Sequence, residues 1–296
     1  MKSVRRAISL VFLLSAVGAA PPPSPRPLAV GVTLHPYYSW TANVVHGCDV
    51  EVIPILPGEV DAGDYQPRTE DIAKIGGLDA IVVNGVGHDD FIFDMIKASG
   101  NDKLRIIRPN DGVPLLKGAN GRTVNSHTFI SFSNAIQQTY AIAGALAALR
   151  PDLASRFEEN AAEYARHLRA IKAKAAQQLA DAHIDRVVTV HDGYGYLMQE
   201  FGIEVAGVVE PAHGLLPSAK ELGEMVDLLK RERIQIVFSE ESFPAPLLKV
   251  LRDEGHARVY VISHIASGAY TPDKFEIEMQ KNVDVMVKAL VTDSRG

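Results

Sequence analysis

The chain of 296 residues contains a single cysteine, Cys48. No disulfide can form within it, and Cys48 reads as a small buried residue rather than a ligand or a nucleophile. Positive charge is also short: 30 Lys and Arg stand against 36 Asp and Glu, a formal charge of −6. Residues 1–20 carry three of the positive charges and no negative one, so the remainder stands at 27 − 36 = −9. Such an acidic chain is a poor candidate for nucleic acid. It is compatible with collecting cations. No HExxH, GxSxG or Walker sequence occurs, which leaves out the hydrolases and nucleotide-binding proteins that those patterns mark. Beyond the first twenty residues no apolar run is long enough to span a membrane.

Those first twenty residues have the layout of a secretory signal peptide. A basic start (Lys2, Arg5, Arg6) precedes an apolar run from Ala7 to Ala16, then small residues to Ala20. Cleavage is expected near Ala19 or Ala20, with export to the periplasm and no membrane insertion afterwards. No cysteine closes the apolar run, which argues against a bacterial lipid anchor there. Residues 21–27 form a Pro-rich spacer.

From Leu28 onward, short β-prone runs alternate with amphipathic stretches. The runs are Leu28–Leu34, Val50–Ile55, Ala80–Val83 and Leu104–Ile107, then Arg186–Val190, Ile203–Val208, Ile234–Phe238 and Arg258–Ile262. This rhythm predicts an α/β fold of two lobes, residues 28–130 and 183–296, each a mainly parallel sheet flanked by helices. Residues 131–182 are a helical connection. Its second half, from Pro151 to Ala182, reads as one long rigid helix. Leu153, Phe157, Ala161, Tyr164, Leu168, Ile171, Ala175 and Leu179 draw one apolar stripe along it. Pro151 suits the first turn, and Asp89 and Ser218 stand where helix caps belong.

The polar residues collect at equivalent places. His35 follows the first strand, Asp61 and Asp64 the second, His88 the third, His191 the fifth, Glu240 the seventh and His264 the eighth. In open α/β sheets the carboxyl ends of the strands are where ligands bind. If the lobes turn these edges toward each other, imidazoles from both meet in one cleft, and His127 at the end of the polar loop 109–127 can join them. Imidazole is the commonest biological metal ligand. His127, His191, His264, His35 and His88 are therefore the candidate metal ligands, with Asp64 and Glu240 behind them and His213 as a rim residue. His46, His167, His183 and His256 fall on helices or helix ends and are expected to be solvated.

These residues carry a family likeness. Pro57-Gly58 with Asp64-Tyr65-Gln66-Pro67 resembles a "PG…DPHxYEP" loop, and Val83-Asn84-Gly85-Val86-Gly87 an "NGxG" strand end. Asn125-Ser126-His127-Thr128 resembles "NPHxW", and His191-Asp192-Gly193-Tyr194-Gly195-Tyr196 resembles "HDAFGYF". Residues 217–222 resemble "EPSAKxL", and Phe238-Ser239-Glu240 resembles "FxE". The chain thus resembles the metal-binding solute-binding proteins of bacterial ABC transporters, the cluster that handles zinc, manganese and iron. The resemblance implies two lobes joined by one rigid helix, limited lobe closure, and a divalent metal held between the lobes for delivery to an ABC permease. Its second and third ligands fall on His127 and His191. The fourth, an Asp in the family, falls on His264, and the first falls on Gly63, which cannot coordinate. His35 or His88 is the favoured replacement, with Asp64 or a water as alternatives.

Three or four imidazoles favour zinc; carboxylate neighbours keep manganese or iron open. The segment 109–124 has no His, so the His-rich loop common in zinc members is missing. Two other functions fit the same residues. One is binding of a metal chelate at a remodelled site. The other is a zinc hydrolase with three His ligands, an open position for water and Glu240 as base. A carrier that diffuses between lobes and permease is expected to be a monomer.

Overall fold

Strand-forming Val and Ile at the starts of both halves build two separate parallel sheets. The computed structural model describes residues 26–210 and 214–293. The expected signal segment, most of the spacer and His213 lie outside them.

The first lobe runs β1 (Leu28–Val32), α1 (His35–Val44), β2 (Val50–Pro54), α2 (Thr69–Gly76), β3 (Ala80–Val82), α3 (Phe91–Ser99) and β4 (Arg105–Ile107). All neighbours pair in parallel, in the order β2-β1-β3-β4. The second lobe repeats the plan with β5 (Arg186–Thr189), α6 (Gly195–Glu200), β6 (Glu204–Val208), α7 (Ala219–Glu232), β7 (Ile236–Ser239), α8 (Ala245–Asp253), β8 (Arg258–Val261) and α9 (Lys274–Val287). Its order is β6-β5-β7-β8, again parallel. In each sheet the strand order reverses beside the first strand. The crevice outside such a switch point is where open sheets hold ligands. β1, β3, β5 and β7 are almost entirely buried, as strands covered on both faces must be.

The connection is α4 (Phe132–Leu149), one 3-10 turn at Pro151–Leu153 and α5 (Ala154–Leu179). Ser131 caps α4 through the Asn134 N–H, and Ser218 with Glu221 forms a capping box at α7. The 26 residues of α5 make a rod of about 39 Å. Its buried face is Phe157, Ala161, Tyr164, Ala165, Leu168, Ala175 and Leu179. It does not stand free between the lobes. It packs along α4 and also against α1 of one lobe and α9 of the other. Asn160 Nδ2 donates to the Val44 and His46 carbonyls, both at 2.9 Å, and Tyr164 donates to Glu276 at 2.7 Å.

The C-terminal helix also crosses to the first lobe. Ser39 Oγ donates to the Thr271 carbonyl at 2.9 Å and accepts from the Phe275 N–H at 3.2 Å. Trp40, Phe132 and Phe275 pack edge to face in the same layer. One apolar core therefore runs from the first sheet through α4 and α5 to α9, and a smaller one lies under α7 and α8. A shared core of this kind resists rigid-body rocking of the lobes. No described helix is long and apolar enough to cross a membrane.

Two local expectations are corrected. Asp89 does not cap α3. Its carboxylate turns back and accepts from Thr33 Oγ1, Asn84 N and Gly85 N at 2.6–2.9 Å, closing the loop after β3. Cys48 is partly exposed at the edge of the core rather than buried.

Candidate metal centre

Four histidine-bearing loops reach the interlobe crevice, and each is held by its own sequence. After β3, Asn84-Gly85-Val86-Gly87 curls around the Asp89 carboxylate. Gly85 and Gly87 supply φ values of +67° and +111°, which favour glycine, and the curl presents His88. The polar loop 109–127 is pinned where Asn84 Nδ2 donates to the Ser126 carbonyl at 3.0 Å, and it presents His127. After β5, His191 stands at the head of a short 3-10 turn, Asp192–Tyr194. After β8, Asn282 bonds both backbone groups of Ser263 at 2.6 and 2.9 Å, fixing the loop that carries His264. The next residue, Ile265, has a φ of +59°. That is a strained conformation for a β-branched residue, so the loop's direction is enforced by its surroundings.

His127, His191 and His264 come together. One ligand atom from each lies within 4.8 Å of the other two, and the residues are 5%, 2% and 7% exposed. The Nε2 atoms of His127 and His191 are 3.0 Å apart. Their outer nitrogens are engaged. His127 Nδ1 donates to Asn125 Oδ1 at 3.0 Å; that oxygen also takes the His127 N–H, while the Asn125 amide donates to the Asp192 carbonyl. His191 Nδ1 donates to Glu210 Oε2 at 3.1 Å. With both protons on Nδ1, two Nε2 lone pairs face each other, and only a cation makes that favourable. A proton can serve. So can a metal: two imidazole nitrogens on one tetrahedral zinc lie about 3.3 Å apart. Outward hydrogen bonds of this type orient metal-bound imidazoles and raise their basicity.

The charges agree with this reading. Burial would lower the His191 pKa, but the hydrogen bond to Glu210 and the nearby carboxylates of Glu240 and Asp61 raise it. His264 goes the other way: burial lowers it to about 4, despite its hydrogen bond to Asp61. Of these two rings, His191 is thus the one whose surroundings favour the charged form, and His264 the one whose burial disfavours it.

His88 borders the trio. Its ring centre is 4.9 Å from that of His127 and 6.0 Å from that of His264, and its Nε2 is 3.5 Å from Asp61 Oδ1. The structure does not bring His35 to the cluster. Its Nε2 donates to the Gly268 carbonyl at 2.9 Å, and its ring stacks flat on Tyr270 with centres 4.0 Å apart. Burial lowers its pKa to about 4, as suits a neutral ring in an interlobe clasp. Gly58 completes that clasp by accepting from the Gly268 N–H at 2.7 Å. Glu240 stays at the side, bonded by Ser242 Oγ at 3.1 Å. Gly63 is exposed. His46, His167, His183 and His256 are exposed, as expected.

Asn125 and Glu210 are residues that the sequence reasoning did not single out, and Asp61 was noted only as a carboxylate past the second strand, not as a candidate ligand. Asp61 Oδ2 accepts from His264 Nδ1 at 3.2 Å, and Oδ1 accepts from the Gly63 N–H at 2.8 Å. Burial would raise this carboxyl, but the hydrogen bonds from His264 and His88 hold it well below the usual carboxylate range. Its signal was a carboxylate just past β2, beside the glycine that stands in the first-ligand position. Beside it lies a cavity of about 10 Å³ lined by His35, Asp61, His88 and Phe129 among others.

Two helix-bridged parallel-sheet lobes with imidazoles converging at their facing edges define a class, the metal-binding solute-binding proteins of ABC importers. The chain belongs to the ZnuA family, the periplasmic component A of a zinc-uptake complex, whose model matches residues 30–289. It is similar to the SBP FpvC of Pseudomonas aeruginosa, solved in complex with Mn²⁺. That chain is 43% identical, the match covers 91% of this chain and 100% of that one, and the TM-score is 0.85. The Ni²⁺ complex of the same protein is 42% identical over 91% and 98%, also with a TM-score of 0.85. The zinc-binding protein AdcA of Streptococcus pyogenes serotype M1 is 25% identical over 90% of this chain. The chain spans 56% of the length of that relative.

Proposed function

We propose that the protein captures a divalent transition metal, zinc first among them, and delivers it to the permease of an ABC importer. His127, His191 and His264 are the metal's ligands. The observation that carries this is the facing Nε2 pair at 3.0 Å, whose Nδ1 atoms are both engaged elsewhere. Asp61 or His88 stands nearest to complete the set, in place of the ligand absent at Gly63. The protein works in the periplasm after loss of residues 1–20, as a monomer.

Binding without turnover fits the enclosure. The three imidazoles are buried, and the adjoining cavity of about 10 Å³ is about the room of one water. Room of that size suits an ion better than an organic substrate. A second cargo is favoured by one observation: the relative at 42–43% identity was solved with nickel and with manganese.

The test is elemental analysis of the mature protein, stripped and reloaded in turn with zinc, nickel, manganese and iron, beside His191→Ala and His264→Ala. About one tightly held ion per chain, lost in both variants, is expected, and the preferred ion names the cargo. A wild type that retains none of the four would overturn the proposal.

A further inference from the structure

Residue 193 is a glycine, and its backbone does not require one. Gly193 sits in the 3-10 turn after His191 and is absent from the residues with positive φ. Space is what requires it. A Cβ built there would lie 2.8 Å from His191 Cδ2, 3.2 Å from His191 Nε2 and 3.1 Å from His264 Cδ2. Carbon atoms prefer separations of about 3.5–4.0 Å. Neither ring can retreat freely. His191 is held from behind by Glu210 and His127, and His264 by Asp61. The two ring centres are themselves only 4.7 Å apart.

We propose that Gly193 is a specificity-determining residue. By leaving its Cβ position empty, it lets the imidazoles of His191 and His264 close over its Cα together. The site thereby gains a third nitrogen donor, and its preference moves toward ions that favour imidazole, such as zinc and nickel, over those that favour oxygen, such as manganese. A larger residue at 193 leaves room for one ring, and position 264 then has to carry something shorter. Gly193 acts through the rings and touches no cargo, so it is a positioning residue. The inference deepens the metal-capture reading and rests on it.

The experiment compares the full mature chain with Gly193→Ala, His264→Asp and the double variant, each stripped of metal and titrated with zinc and with manganese against a chromophoric chelator. Gly193→Ala is expected to weaken zinc at least tenfold. In the His264→Asp background, where the ring is gone, the same change should cost less than threefold. His264→Asp alone should lower the zinc-to-manganese affinity ratio at least tenfold. Gly193→Ala binding zinc within twofold of wild type, or an equal loss in both backgrounds, would overturn the inference. If Gly193→Ala does not fold, an unchanged zinc-to-manganese ratio in His264→Asp would overturn it, and a tenfold fall would support it. Wild type that binds no divalent ion is a different result: it sinks the metal-capture reading itself.

Discussion

Replacing Glu210 by Gln probes how the cluster balances a metal against a proton. The Glu210 carboxylate lies 3.1 Å from His191 Nδ1; the two residues are 8% and 2% exposed, so bulk water does little to screen them. Gln keeps the shape and removes the charge. Two consequences follow, with opposite signs in pH. The imidazole becomes a poorer donor, and loss of an outer partner of this kind costs about 10- to 100-fold in metal affinity, or about 1.4–2.7 kcal/mol. The same change removes the main influence that raises the His191 pKa, so the proton competes less well for the empty site. At pH 7.5, where proton competition is weaker than at pH 5.5, the variant should show the larger loss. As the pH falls toward 5.5 the wild type is penalised more, so the ratio of wild-type to variant affinity should shrink. A competitive chelator titration at several pH values measures both. Affinity within twofold of wild type at pH 7.5, or a ratio that grows on acidification, would refute the reasoning.

Four further outcomes are expected. Gly58→Ala places a Cβ 2.4 Å from the Gly268 carbonyl oxygen; it should break the interlobe clasp and destabilise the protein by about 1–3 kcal/mol, read from urea melts. Leu168→Ala, in the fully buried seam of α5, should cost about 2–5 kcal/mol, and a thermal midpoint within 1–2 °C of wild type (about 0.5 kcal/mol or less) would show that the shared core contributes little. His35 binds its proton less readily in the folded chain, at about 4, than in the unfolded chain at 6.5. The unfolded state therefore takes up more protons between these values, and the associated stability is complete above pH 6.5 and lost as pH falls toward 4. That contribution is about 3 kcal/mol, and His35→Gln should flatten the pH dependence of metal-free melts by that amount. Finally, zinc at about a thousand times its Kd should stabilise the protein by about 4 kcal/mol, removable by chelator, with little change in radius of gyration by small-angle scattering because the lobes share a core.

The sequence by itself determined the elements and their order. Eight strands fall where Val and Ile alternate with helical stretches, because local periodicity reports which face of an element is buried. The stripe on α5 was legible for the same reason, and so was the cap at Ser218. His191 and His264 stood out because a histidine just past a strand is a local pattern, and His127 because it ends the long polar loop. What only the tertiary structure decided concerns groups far apart in the chain. His35 and His88 looked alike as sequence, each following a strand of the first sheet. One is taken by the Gly268 carbonyl and Tyr270, whereas the other lies beside His127. Asp89, a cap by its position, closes the Asn84–Gly85 turn instead, since buried backbone N–H groups must find an acceptor. Asn125 and Glu210 carried no local signal, and Asp61 was only one carboxylate at a strand end, until the folded chain set each against an imidazole. The 3.0 Å approach of His127 to His191 spans 64 residues of chain, and its meaning depends on which nitrogen carries the proton. That is set by partners on other loops, and no local pattern encodes it.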